Sequence, residues 1–240
     1  MMTLIVGASG ATGQKLVAEL LRRGKKVKAV VRSSASLPAG LTDSPNLTVI
    51  EASVLDLSDS EMEAHLDGCD AVASCLGHNL TFQGMFGNPR KLVTEATRRL
   101  SNALKKANAD QPGKFVLMNT TGNRNRDLKE PVSFAEKCVI SLLRFLLPPH
   151  LDNEEAANFL RTEAAPGKTN LEWVVVRPDG LINLDTVTDY ELHPSPTRSA
   201  IFNAGTTSRI NVAHFMADLI TEEDLWNEWK GRMPVIYNQD

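Results

Sequence analysis

Apolar positions along the first half of the chain come in short, nearly unbroken runs, each followed by a stretch of helical periodicity. Residues 3–6 predict a first strand and residues 14–23 a helix, with further strands over 26–32 and 47–51. Ser58 with Glu61 three residues on is a capping box, which opens a helix running to residue 66. Residues 70–76 predict a fourth strand, 89–107 a long helix with Pro89 in its first turn, and 114–119 a fifth strand. Strands without polar alternation are those buried on both faces, as in a parallel sheet clad with helices.

The second half keeps the pattern. Residues 133–147 predict a helix stopped by Pro148-Pro149, and residues 152–165 another, ended by Pro166-Gly167. In the first of these, Ser133, Lys137, Ser141 and Arg144 form one narrow polar stripe, so most of the circumference is apolar. Burial inside the fold is the leading expectation for that face; a subunit interface, as in a homodimer, is the second, and membrane association a distant third. Residues 171–176 predict a sixth strand. A short segment near Ile210, a helix over 212–220, a shorter one near Trp226 and the run Val235-Ile236-Tyr237 complete the chain. There is no internal repeat and no linker-like break, so residues 1–240 read as one domain, with a substrate-side insertion near 124–167. Alternating strand and helix predicts an α/β fold with a doubly wound parallel sheet and right-handed crossovers. Ligands bind such a sheet beyond the carboxyl ends of its strands.

Composition narrows the function classes. With 26 basic and 29 acidic residues the net charge is −3, which lacks the basic footprint of a nucleic-acid binder. The longest apolar runs, such as Phe115-Val116-Leu117-Met118, are far short of the roughly 20 residues that span a bilayer, so no membrane role is expected. The N-terminus has no secretory pattern, and Cys69, Cys75 and Cys138 have no metal-ligand spacing. The cysteines read as small apolar fillers in a reduced, cytoplasmic setting. His193 and His214 with Asp189 or Asp218 fit no metal pattern, so no metal is expected, and no serine sits in a nucleophile elbow.

The chemistry concentrates after the first strand, in Gly7-Ala8-Ser9-Gly10-Ala11-Thr12-Gly13. Between a strand and a helix, such glycines permit a tight turn, let backbone approach a pyrophosphate and let the helix pack on the strand. The helix N-terminus then offers unpaired N–H groups to phosphates. At the end of the second strand Arg32-Ser33-Ser34 carries no acid; arginine there accommodates the 2′-phosphate of NADP. NADPH is therefore expected in preference to NADH.

Together with Trp173-Val174-Val175-Val176-Arg177-Pro178, these motifs resemble the atypical short-chain dehydrogenase/reductases. The resemblance is to the NAD(P)H-binding branch that includes biliverdin reductase B, small NAD(P)H-flavin reductases and NmrA-like regulators. It implies a Rossmann sheet of about seven strands with cofactor across its C-terminal edge. By this resemblance Gly7, Ser9, Gly10, Ala11, Thr12 and Gly13 hold the pyrophosphate, and Arg32 and Ser33 the 2′-phosphate. Val54 and Leu55 belong to the adenine-side turn, although many relatives have Asp where Ser53 stands. Leu76 and Gly77 line the cofactor ribose, Thr120, Thr121 and Gly122 the wall beside the nicotinamide, and Arg177 and Pro178 the loop closing that site.

Short-chain dehydrogenases usually pair a tyrosine acid with a lysine four positions later. Here Tyr190 is followed by Pro194, Tyr237 is near the end, and the corresponding helix reads Phe134-Ala135-Glu136-Lys137-Cys138. Two functions from different classes fit this absence. One is a reductase of a flat conjugated small-molecule acceptor (a flavin, a quinone or a linear tetrapyrrole) that needs little acid catalysis. The other is a non-catalytic NADP sensor of the NmrA-like type. For an enzyme, His78, Thr120 and Asn153 are the candidate catalytic or substrate contacts. His150 lies in the variable insertion, Asp152 or Asn153 could instead cap a helix, and Arg124 and Arg126 could attract an anionic substrate.

Overall fold

The computed structural model describes residues 1–78, 87, 89–108, 111–130, 132–164 and 169–239. Five parallel strands follow the expected order: β1 (Met2–Val6), β2 (Lys26–Val31), β3 (Leu47–Glu51), β4 (Ala71–Ser74) and β5 (Gly113–Met118). Next come β6 (Leu171–Pro178), a small separate pair of β7 (Gly180–Ile182) with β9 (Thr206–Ser208), and then β8 (Tyr190–His193) and β10 (Val235–Asn238). The main sheet runs β3-β2-β1-β4-β5-β6-β10-β8 and is parallel throughout except at its edge, where β8 lies antiparallel to β10. Strand order reverses between β1 and β4, so the cleft for a ligand opens beyond the C-terminal ends of those two strands.

Each strand divides its side chains between two helical layers. Ile5, Ala29, Ala73, Val116 and Val174 face α1 (Ala11–Arg22), α7 (Arg209–Thr221) and α8 (Glu223–Trp229), whose Leu16, Phe215, Leu219 and Trp226 complete one core. Leu4, Val6, Val72, Phe115 and Val175 face α3 (Asp59–Leu66), α4 (Leu92–Ala107) and α6 (Pro148–Glu163), packing on Met62, Leu66, Leu100 and Leu160. Burial on both faces is why the strands read as continuous apolar runs. The capping box at α3 forms reciprocally: Ser58 Oγ accepts from Glu61 N, and Glu61 Oε2 accepts from Ser58 N.

Two expectations are corrected here. Pro148 and Pro149 do stop α5 (Phe134–Leu146), but they also open α6, because proline's fixed φ and missing N–H suit a helix's first turn. The far end of that helix, at Pro166-Gly167, lies outside the described residues. Nor is the apolar face of α5 buried. Glu136, Ile140, Leu143 and Arg144 turn inward, with Arg144 bonded to Glu154 of α6 at 2.7 and 3.0 Å, whereas Phe134, Cys138, Leu142 and Leu146 are exposed. The Arg144–Glu154 pair orients the helix with part of its polar stripe toward the protein. No helix among the described residues is long and apolar enough to cross a membrane. Short elements without a strong apolar period, α2 (Ala39–Thr42), a 3₁₀ turn over Ser34–Ser36, β7 and β8, have no counterpart in the sequence pattern.

Candidate functional site

The turn after β1 is built around two glycines that tolerate no side chain. Gly7 has φ +72°, and a Cβ there would stand 2.5 Å from the Cys75 carbonyl carbon at the end of β4. A Cβ on Gly13 would stand 2.1 Å from the Gly7 carbonyl oxygen, so helix α1 starts flush against the end of its strand. Gly10 N donates to Gly7 O at 3.0 Å and closes the turn. Gly10 is also the N-cap of α1 and offers no side-chain cap, and the first turn carries no acid. The leading N–H groups of Ala11, Thr12 and Gly13 have no intrahelical acceptors, and the helix dipole favours an anion in front of them. Gln14 Nε2 braces the loop by donating to Ser9 O at 2.9 Å and Ser36 O at 3.1 Å, tying the turn after β1 to the turn after β2.

A cavity of about 580 Å³ runs from this helix end along the edge of β2, β3 and β4. Gly7, Ser9, Gly10, Arg32, Val54, Leu76, Gly77 and His78 are among its walls. The uncapped helix start and the glycine cradle fit a pyrophosphate, and the cavity's extent past Arg32 fits an adenosine half. Arg32 is exposed on the cavity wall and makes no hydrogen bond or ion pair among the described residues.

Two nearby expectations change. Ser33 stands outside the cavity wall, as N-cap of the 3₁₀ turn, its carbonyl accepting from Ser36 Oγ at 2.5 Å. Leu55 points into the α3–α4 core, while its carbonyl accepts from Arg99. The second strand also has an acid beside it after all, because β3 pairs in register and sets Glu51 opposite Val31. Glu51 Oε1 accepts from Ser34 N at 2.5 Å, and this contact with Ser34 holds its carboxyl below the usual range. Sequence reasoning looked for the acid on β2 alone; the signal was the acid ending the neighbouring strand.

His78 does line the cavity, and its partner is a buried carboxylate. Its Nε2 stands 2.8 Å from Asp152 Oδ2. Asp152 sits inside α6, yet it caps α4, accepting from Val93 N at 2.8 Å and Thr94 N at 2.9 Å. Neither the N-cap Lys91 nor local spacing announces this cap, because it comes from another helix. Asn153, one residue on, turns away from both cavities; its carbonyl accepts from Asn119 Nδ2 at 2.9 Å.

Beyond β5, a second cavity of about 380 Å³ opens against Thr121 and Gly122. Arg124, Glu136 at the start of α5, and Arg198 also line it. Thr121 Oγ1 donates to Asp179 Oδ1 at 3.1 Å, and Gly205 N donates to Asp179 Oδ2 at 2.8 Å; burial raises the Asp179 carboxyl above its ordinary range. Thr120 is half-buried on neither wall, its hydroxyl accepting from Gly122 N at 3.3 Å.

Arg177 and Pro178 are corrected as cofactor contacts. Arg177 is wholly buried, giving hydrogen bonds to Met233 O, Asn123 O, Pro194 O and, at 2.8 Å, to the carboxylate of Glu130. Pro178 is buried within β6, opposite Ile236, and its carbonyl accepts from Thr121 N. Neither lines a cavity. Arg126 is exposed away from the Arg124 cavity, beside Arg161.

The tyrosines also stand off the cavity walls. Tyr190 Oη bonds to Asp218 at 3.2 Å and lies 3.3 Å from His214 Nδ1, in a cluster with Arg23 at the far end of α1, and burial raises its phenol. Tyr237 is buried, its ring 5.4 Å below the Arg198 guanidinium. Phe134, where the resemblance would set a phenol, is 83% exposed.

A family model described as NAD(P)H-binding matches residues 7–223. The chain belongs to this NAD(P)H-binding family. An uncharacterised chloroplastic protein of Arabidopsis thaliana is 26% identical over 223 residues, covering 92% of this chain and 72% of the relative. A short-chain dehydrogenase/reductase of Veillonella parvula in complex with NADP has the same fold at TM-score 0.71 and 21% identity, over 99% of this chain and 94% of that one. So does an anaerobilin reductase of Escherichia coli, at TM-score 0.69 and 17% identity over 100% and 98%. A protein of Streptococcus pneumoniae described as an NADH-flavin reductase matches at TM-score 0.68 and 19% identity over the whole of both chains.

Proposed function

We propose that the protein is an NADPH-dependent reductase of a flat conjugated acceptor. The observation that carries this reading is the pair of cavities: one opens at the uncapped N-terminus of α1 with room for a dinucleotide, and the other opens beside Thr121 and Gly122 with no tyrosine on its wall. When bound, the nicotinamide supplies a hydride. Gly7, Gly10 and the first turn of α1 hold the pyrophosphate, and Arg32 holds the 2′-phosphate, which favours NADPH over NADH. Leu76, Gly77 and His78 bound the ribose, and Asp152 fixes the His78 ring through Nε2. Thr121, held by Asp179, and Gly122 form a wall of the second cavity, where the acceptor is received.

Proximity and orientation supply the rate enhancement, because a conjugated acceptor spreads incoming charge over its own ring system. The described structures of an NADH-flavin reductase and an anaerobilin reductase support acceptors of this shape. NADPH consumption with flavins, quinones and linear tetrapyrroles tests the reading. Tight NADP binding without turnover of any of them would favour a regulatory NADP sensor instead.

A further inference from the structure

The second cavity carries an unusual set of unspent polar groups. Arg124 gives one N–H to Glu130 O at 2.8 Å, but its Nε is buried with no partner among the described residues. Arg198 is exposed over the Tyr237 ring and has no ion pair among the described residues. Glu130, on the same wall, is already neutralised by Arg177 at 2.8 Å. Ser133 caps α5 beside these arginines, adding a helix N-terminus that favours negative charge. Glu136, in contrast, is 9% exposed, and its carboxylate accepts no hydrogen bond among the described residues. A carboxylate without a protein donor keeps its acceptor capacity unspent, so a bound molecule that brings a donor is favoured there. Ile140 and Ile201 supply apolar walls between these groups.

We propose that this cavity binds the hydride acceptor and selects molecules that carry both an anionic arm and a ring N–H. Arg124 and Arg198 receive the arm, a carboxylate or a phosphate, and Glu136 accepts the N–H. The word acceptor rests on the reductase reading above; the recognition chemistry rests on the cavity alone. Neutral quinones, which present only carbonyl oxygens, leave Glu136 without a donor and are disfavoured.

The test is a binding titration on the full chain saturated with NADP⁺, read by flavin fluorescence. FMN is expected to bind about tenfold tighter than riboflavin, a gap of ~1.4 kcal/mol. Biliverdin against its dimethyl ester poses the same question for carboxylate, and a gap in either pair supports the arm site while naming its source. Arg198→Gln, an exposed change, should close the gap without altering NADP⁺ affinity. Glu136→Leu should weaken both flavins about tenfold, Glu136→Gln should recover most of that loss, and neither should change competition by menadione. Equal binding within both pairs, or a gap that survives Arg198→Gln and Arg124→Gln, overturns the arm site. Flavin affinity unmoved by Glu136→Leu overturns the N–H site. Binding as expected with no NADPH consumption would remove the reductase reading and leave the cavity assignment standing.

Discussion

Glu51, the last residue of β3, accepts a hydrogen bond from the Ser34 backbone N–H at 2.5 Å, two residues along the chain from Arg32, the side chain proposed to hold a 2′-phosphate. The two side chains pull in opposite directions on an anionic ligand. Arg32→Ala should weaken NADPH binding tenfold or more, from the ~1.5–3 kcal/mol of a charge-assisted hydrogen bond, and leave NADH unchanged. Glu51→Gln should tighten NADPH by about three- to tenfold, given ~1 kcal/mol between solvent-screened charges near 4 Å. Dissociation constants for both cofactors, measured on both variants, check the pair; an unchanged NADPH constant in Arg32→Ala would falsify the 2′-phosphate assignment.

Arg177 and Glu130 form a fully buried ion pair that ties β6 to the segment after β5. Removing one partner strands the other charge, so Arg177→Ala should cost about 3–5 kcal/mol of unfolding free energy. Urea denaturation measures this. Cofactor affinity of the folded fraction should be unchanged, because Arg177 lines neither of the two cavities.

Glu19 on α1 is held at about 2 chiefly by the Arg22 guanidinium, against the opposing effect of burial and with further help from Arg23. A folded carboxyl below its unfolded value adds stability above the unfolded value and loses it as pH falls toward the folded one. Glu19→Gln should therefore lower Tm at pH 7, and the difference from the natural protein should shrink as pH falls from 4.5 toward 2. Thermal melts across that interval decide it; a difference independent of pH contradicts the assignment.

Burial pushes the Cys75 thiol up to about 12 and the Cys69 thiol up to about 11, whereas Cys138 is exposed on α5. Native protein should react with a thiol reagent at Cys138 alone, and unfolded protein at all three. Peptide mapping after brief alkylation shows which sites are modified.

The central sheet and its glycine turn were legible in the chain because both are local: apolar runs mark strands buried on two faces, and Gly7 and Gly13 are demanded by contacts within a few residues or at the neighbouring strand end. What escaped was set by elements distant in sequence. Asp152 caps α4 from 58 and 59 residues away. Glu51 reaches the turn after β2 through strand pairing, and Arg177 is drawn inward by Glu130 rather than out to a ligand. The exposed apolar side of α5 was misread for a related reason: periodicity finds a helix's faces, but Arg144–Glu154 decides which of them turns inward.

The most direct measurement is anaerobic oxidation of NADPH by the purified protein with an excess of a flavin or linear tetrapyrrole acceptor. The account predicts one acceptor reduced per NADPH consumed, at a rate proportional to protein and lost when Gly13→Ala pushes a methyl into the Gly7 carbonyl. NADPH that binds tightly yet is consumed with none of these acceptors would contradict it.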